Sequence, residues 1–495
     1  MMITKAYERK TGGRSSSLRW LLAFLFPVGY VLTMNFFNDY ALEYFFLTAV
    51  SLVACFFLFS VLKRPFIEHL PVWILFLVFW GAYYLKFYLM IIDPDLVYLL
   101  PLRVYDYFVS DEILLRVYTT TTLAFSTFCF ISGTACLLNK KHRPQEQPAK
   151  PSVLSLYLSL TVALVLIGVS SLLTFGFDIV MGLQKQALPF RLEGLIVYLR
   201  LITIPIILIL IIWGGFRLRR KSWTLLGTVV LILYGISDML LRASKSTLFF
   251  LLIALGLLWL LNGGKIRAYH MGFGLIVGSF SLLLYPFIMA LRIAQHSYPD
   301  NMIAALSTAM RSEILGSSSL LSMLGATLDL ILMRISGSDI LMALVAYDAE
   351  PLGWRTWEVL TGPRGFAGHL TVNVFGAPPE IIDAFGLAPS LVGFFFTIGG
   401  DWMVLLGMGL FTYTVLWAWR KLADSGLRSK IIAQVFLLMF VLSMAIDGVL
   451  DRAILHQLPV YVVTLFLCEW IMRLSDASGR RNRLQATNVP GGSTH

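Results

Sequence analysis

Charge is scarce in this chain. Only 14% of its 495 residues are Asp, Glu, Lys or Arg, against roughly 25% in an ordinary globular protein. A water-soluble molecule of that kind could not cover its apolar residues, which make up 58% of the sequence. Cysteine is scarcer still. Cys55, Cys129, Cys136 and Cys468 fall inside apolar runs and show neither CxxC nor zinc-ligand spacing. That excludes a disulfide framework and makes them small core residues. HExxH, GxSxG, a Walker loop and a GxGxxG in its proper context are all missing, so zincin, serine-hydrolase and nucleotide-driven chemistry have no foothold. Nor does a chain of carboxylates run through the apolar segments, as it does in proton-coupled carriers. Lys86, in "YYLKFY", is the main charge well inside an apolar run, and it reads as snorkelling to the interface.

What is abundant is long apolar runs, each long enough to cross a hydrocarbon core of about 30 Å. They occupy 20–37, 41–62, 71–92, 117–138, 153–174, 195–213, 223–239, 246–262, 272–291, 402–419, 431–447 and 458–472. The fold class is therefore all-α: a polytopic membrane protein of about 12 transmembrane helices. The first run is long enough to stay as a signal anchor, with no small-residue cleavage site after it.

The remaining charge is distributed by side. With an inner N-terminus, the inner segments hold 25 of the 39 Lys and Arg but 6 of the 28 acids, +19 against −8 elsewhere. That is the positive-inside pattern with both termini cytoplasmic. The sequence pI near 9.4 is thus a topology signal and implies no nucleic-acid partner.

The chain divides into a basic cytoplasmic N-terminus (1–19), helices 1–9 (20–291), a large outer loop (292–401), helices 10–12 (402–472) and a disordered cytoplasmic tail (473–495). The inner loops are too short to house a catalytic domain, so any site lies outside. In the large loop, "IAALSTAMRSEILGSSSLLSMLGATLDLILMR" and "ISGSDILMALVAY" have helical periodicity. They read as amphipathic helices lying against the outer leaflet or dipping into it. "LGWRTWEVLTGPRGFAGH" is interrupted by Gly and Pro.

Two basic inner segments, "FRLRRKS" and "GGKIRAY", require the chain to cross twice between them. The reversal then falls at Asp238–Lys245 on the outer face, with Arg242 and Lys245 on a tight turn suited to an anion. The large loop has five arginines and no lysine, a bias that fits two-pronged recognition of phosphate or carboxylate. Candidate anion ligands are Arg191, Arg200, Arg242, Lys245, Arg292, Arg334 and Arg364, although pairing with outer acids accounts for part of this set. His369 is the imidazole candidate for the acid–base work. Glu193, Asp238, Asp339 and Glu350 are the carboxylate candidates. Asp93 and Asp95 in "IIDPDLVY" have DxD spacing, but Asp and Pro also punctuate helix ends. They are read as a helix end, and no metal is expected.

Four segments resemble the Wzy-type polymerases of lipid-linked oligosaccharide repeat units, within the wider group that includes O-antigen ligases. They are "QALPFRLEGLIVYLR", "LRASKSTLFFLLIAL", "WEVLTGPRGFAGH" and "GLAPSLVGFFFTIGGDWMVLLGMGL", together covering about residues 175–420. The Pro363–Arg364 pair lacks the Lys-Pro that often follows it in that family. The resemblance implies a glycosyltransferase of the bacterial inner membrane, with the late loop periplasmic. It joins repeat units carried on undecaprenyl pyrophosphate into O-antigen, capsule or exopolysaccharide and releases undecaprenyl pyrophosphate. It implies no cofactor, a chain-length regulator and a flippase as protein partners, and arginines on the leaving pyrophosphate. His369, or Glu193, Asp238 or Glu350, would engage the acceptor hydroxyl. An O-antigen ligase, a non-catalytic flippase or exporter, and a metal-dependent transferase using Asp93 and Asp95 are the competing readings.

Overall fold

The computed structural model describes residues 19, 21–62, 66–92, 110–138, 151–177, 192–242, 247–262, 302–311, 337–347, 350–362, 365–376, 389–448, 450 and 453–487, with single positions between 272 and 294. Every regular element among them is helical. Eight helices are long and apolar enough to cross a membrane: Asn38–Val61, Leu70–Ile92, Asp111–Leu138, Val153–Thr174, Gly194–Arg217, Lys221–Leu240, Leu391–Asp424 and Ala453–Leu474. Shorter apolar helices at Leu21–Phe36, Phe250–Leu261 and Lys430–Ala445 occupy three further expected places. The run expected at 272–291 falls almost wholly outside the described residues. The chain is a multi-pass membrane protein; eight long spans are the count among the described residues.

The helices are numbered α1 (Leu21–Phe36), α2 (Ala41–Val61), α3 (Leu70–Ile92), α4 (Asp111–Leu138), α5 (Val153–Gly176), α6 (Gly194–Arg217), α7 (Lys221–Arg242), α8 (Thr247–Leu261) and α9 (Met302–Met310). The late helices are α10 (Ser338–Ala346), α11 (Thr356–Thr361), α12 (Gly365–His369), α13 (Leu391–Asp424), α14 (Lys430–Asp447) and α15 (Leu458–Thr487). Two compact units share them. Unit 1 comprises 1–144, 329–420 and 441–451, and unit 2 comprises 145–328, 421–440 and 452–495.

In unit 1 the interior is aromatic and hydroxylated. Hydrocarbon cannot satisfy a phenol or hydroxyl, which favours internal partners. Thr48 pairs with Tyr118 at 3.0 Å, Ser51 with Thr122 at 3.2 Å and with Tyr84 at 2.7 Å, and Tyr88 with Tyr118 at 3.1 Å. These pairs also give directions. Residues 48 and 51 meet 118 and 122 in rising order, so α2 and α4 run parallel. Tyr88–Tyr118 and Phe79–Phe128 (ring centroids 5.4 Å apart) make α3 antiparallel to α4. Thr120 donates to Asp401, and Arg420 donates to the carbonyl of Ala135, so α13 is parallel to α4.

Unit 2 obeys the same logic. Arg200 meets Ser170 and Ser171 on α5 and Asp238 on α7, while Gly214 packs on Leu156 and Gly215 on Thr224. Both α5 and α7 are therefore antiparallel to α6. Thr203 pairs with Thr464 at 2.9 Å, which with Tyr198 stacked on His456 makes α15 parallel to α6. Glu469, on α15, accepts the backbone N–H of Arg428 (3.0 Å) and Ser429 (3.2 Å) and caps the start of α14. A carboxylate at that position satisfies two orphan donors and meets the positive end of the helix dipole. These directions agree, pair by pair, with the alternation that the basic inner segments require.

Several expectations are corrected. Lys86 does not snorkel. Its Nζ lies 2.7 Å from Asp339 Oδ2, with the two side chains 5% and 7% exposed, because a buried opposite charge replaces the water that snorkelling would seek. The α10 segment does not lie exposed against the leaflet: Ser338 to Leu344 are all buried. Its periodicity was real, but both of its faces find apolar neighbours. The last part of the expected outer loop, 391–398, is helical and precedes the break at Gly399–Gly400. The reversal at 238–245 is shorter than expected, because α7 continues through Asp238 to Arg242. The supposed disordered tail carries helix on to Thr487; no Pro interrupts it, and extending an existing helix needs no new nucleus. In "LGWRTWEVLTGPRGFAGH" the breaks do occur, leaving a 3₁₀ turn at Gly353–Arg355 and the short α11 and α12.

Candidate functional site

Among the described residues π-turns occur at Trp80–Leu85, Leu199–Thr203, Leu370–Val374 and Ala453–Gln457. Each contains or adjoins an ionisable group: Lys86, Arg200, His369 and His456. A π-turn widens the helix by one residue and leaves a carbonyl less well satisfied, which is why such turns gather at functional sites.

In unit 1 the first π-turn is a docking point. The hydroxyl of Ser338 reaches the Ala82 carbonyl at 3.5 Å. A Cβ on Gly337 would overlap that same carbonyl, so only glycine permits the approach. Asp339 then accepts the Gly337 N–H at 2.9 Å and the Lys86 ammonium at 2.7 Å. The start of α10 is thus neutralised by its own carboxylate and by a cation from α3. Beside it, the Tyr83 hydroxyl accepts the Val392 N–H at 3.1 Å and caps the first turn of α13.

That helix breaks eight residues later. Gly399 (φ −160°, ψ 28°) and Gly400 (φ 65°, ψ −154°) are non-helical, and the second conformation belongs to glycine alone. After the break Phe395 lies against Gly407, so the first segment folds back along the second. At the bend, Asp401 accepts Arg116 at 2.7 Å and Thr120 at 2.7 Å. Arg116 is half exposed, and sequence reasoning passed over it because it stands at the edge of a span. The imidazole candidate sits on a packed element: Phe366 lies 4.6 Å from Phe394, and Phe375 lies 5.3 Å from Tyr347 between ring centroids. Half-burial lowers the pKa of His369 from its ordinary 6.5, leaving it neutral at neutral pH. Its Nδ1 is 2.9 Å from the Asn373 amide nitrogen; with that amide donating, the ring proton sits on Nε2, a donor for a hydroxyl. Glu350 is exposed just before Pro351.

In unit 2 the centre is Arg200, wholly buried on its π-turn. Its Nε is 2.8 Å from Asp238 Oδ1, and its Nη1 donates to Ser171 at 2.9 Å and Ser170 at 3.2 Å. The Tyr234 hydroxyl donates to its backbone carbonyl, and the guanidinium lies 5.6 Å from that ring. Asp238, with no exposed surface, is committed to this cation, and the structure gives neither of the two an open approach from water. Glu193 lies in the helical turn Leu192–Tyr198 leading into α6, and Arg242 is the last residue of α7. Because α6 and α7 are antiparallel, these two positions belong to the same end of unit 2.

Of the expected anion ligands, Arg191, Lys245, Arg292, Arg334 and Arg364 lie outside the described residues, as do Asp93 and Asp95. Among the described residues no group of three or more His, Cys, Asp or Glu could hold a metal ion. Comparison with family models, with curated proteins and with solved structures finds no match.

Proposed function

We propose that this chain is a membrane glycosyltransferase that polymerises oligosaccharide repeat units carried on undecaprenyl pyrophosphate. It would work at the periplasmic face of the bacterial inner membrane, without a metal, releasing undecaprenyl pyrophosphate. The observation that carries the reading is the buried Arg200–Asp238 clamp. It locks α5, α6 and α7 together one turn before Arg242, at the end of unit 2 opposite the basic turn containing Arg217, Arg219 and Arg220. That is rigid support for a basic group at the helix end which the charge asymmetry puts outside.

In this reading an acceptor hydroxyl oxygen attacks the anomeric carbon of the growing chain as its bond to the pyrophosphate oxygen breaks. The hydroxyl proton passes to a carboxylate, for which Glu193 lies at the same end as Arg242. Arg191, Arg242 and Lys245 neutralise the leaving pyrophosphate. Arg200 moves from anion ligand to positioning residue, since its contacts are already taken. His369 and Glu350 of unit 1 are the alternatives for the acceptor hydroxyl, and Arg292, Arg334 and Arg364 the further anion ligands.

A second reading has its own observation. The buried Lys86–Asp339 pair and the helix broken at Gly399–Gly400 are features that flippases and other carriers also use. One surface-polysaccharide gel separates the two. A strain lacking this gene, complemented with the wild type or with Arg242→Ala, should lose the ladder, keep single repeats and be rescued by the wild type alone. A ladder stranded on its lipid carrier would mean a ligase. Absence of any repeat unit outside the cell would mean a carrier. Full rescue by abundant Arg242→Ala protein would remove Arg242 from the chemistry.

A further inference from the structure

Along the second segment of α13 a stripe of large side chains points away from the protein: Trp402, Leu406, Leu410, Tyr413 and Trp417, between 50% and 78% exposed. The spacing is that of one helix face. The two tryptophans are separated by 15 residues, or about 22 Å of helix axis. Indole rings favour the headgroup boundary at both faces of a bilayer, and an apolar band between two of them is a lipid-facing surface. The basic pair Arg420–Lys421 follows Trp417, and the Arg116–Asp401 pair precedes Trp402. Trp402 therefore marks the level of the boundary opposite the basic, inner end.

A second pair of tryptophans belongs to that level. The Leu352 N–H donates to the Thr397 carbonyl at 2.9 Å, five residues before Trp402. This ties the Gly353–Thr361 segment to the bend of α13. Within it Trp354 is 98% exposed and Trp357 69% exposed, Arg355 is exposed, and no residue from Gly353 to Thr361 is buried. The turn is bonded within itself. Thr356 and Thr361 donate to the carbonyls of Gly353 and Trp357, at 2.7 and 2.9 Å. Among the described residues nothing covers these two indoles, and their segment is bonded next to a lipid-facing stripe.

We propose that Trp354 and Trp357 insert into the bilayer at the headgroup–acyl boundary, with Arg355 at the level of the lipid phosphates. The turn is a lipid anchor continuous with the Trp402 stripe. It tethers to the membrane surface the segment that is bonded to Thr397, and so holds the outer end of the broken helix. The occupant is bulk phospholipid. A sugar-stacking platform would use the same rings, but it would need them in water, and the neighbouring stripe argues for lipid.

The test uses full-length protein in phosphatidylglycerol–phosphatidylcholine vesicles carrying bromine either near the headgroup end or near the methyl end of the acyl chains. Wild-type emission minus that of Trp354→Phe/Trp357→Phe isolates the two indoles, and wild type minus Trp402→Phe supplies the depth reference. The expected difference emission is blue-shifted, quenched several-fold more by shallow than by deep bromine, and little affected by aqueous iodide, as for Trp402. Quenching by iodide with no response to bromine would overturn the proposal. Iodide quenching that disappears only when lipid-linked oligosaccharide is added would overturn it too, and would identify a sugar platform.

Discussion

A lysine and an aspartate buried together in a protein interior stand or fall as a pair. Lys86 and Asp339 are brought to 2.7 Å with almost no exposure. Removing one partner leaves an uncompensated charge, at a cost of about 3–5 kcal/mol, whereas replacing both by apolar residues of similar volume is often neutral. Lys86→Met and Asp339→Leu should each lower the unfolding temperature in detergent markedly. The double variant should recover most of the loss, short of what the Gly337 N–H forfeits when Asp339 no longer accepts it. A double-mutant cycle followed by thermal unfolding measures this, and simple additivity would show that the two charges are not coupled. The same physics explains what sequence reading missed at this scale. Lys86 looked like a snorkelling residue because its partner lies in a distant segment, and nothing in "YYLKFY" announces it. Asp238 and Arg200 were both legible as ionisable groups near helix ends. That they satisfy one another was not, because pairing depends on how three helices meet.

Elements were legible where hydropathy decides and illegible where the backbone departs from a straight helix. The long spans stand out because each needs about 20 apolar residues. A helix buried on all sides and one lying on or dipping into a leaflet have similar windows, so the burial of α10 is not legible in its sequence. The π-turns leave no compositional trace. Gly399–Gly400 reads as a glycine-rich stretch of helix until its torsions are known, and then one of the two proves indispensable. Gly400 has φ 65° and ψ −154°, so Gly400→Ala should destabilise by about 1–3 kcal/mol. Gly409, on the same helix, provides the contrast. A Cβ there would meet Thr127 at an ordinary 3.7 Å, so Gly409→Ala should be neutral or gain up to about 1 kcal/mol. Size-exclusion profiles after heating would compare the two variants directly. Equal stability of both would mean that the bend is not held by the Gly400 torsion.

For the whole molecule, the strongest agreement between sequence and structure is directional. Charge counting divides the loops into two sets, and it uses no contact at all. Helix pairing uses contacts and no charge. Within unit 1, α2 and α4 run together against α3; within unit 2, α6 runs against α5 and α7 and alongside α15. Both sources of information demand the same alternation, and of the two only the charge count says which face is outside. Thiol labelling from one side of the membrane tests that assignment. In a background with the four native cysteines replaced, Arg219→Cys probes the exposed turn between α6 and α7, and Leu455→Cys probes the exposed π-turn before α15. These are opposite ends of the same unit. In intact cells a membrane-impermeant maleimide should label Leu455→Cys at once, and Arg219→Cys only after the membrane is opened. The reverse result would invert the molecule and move Arg242 to the cytoplasmic face, away from any lipid-linked repeat unit delivered to the outside. Labelling of both from one side would break the alternation itself, and with it the placement of every basic segment.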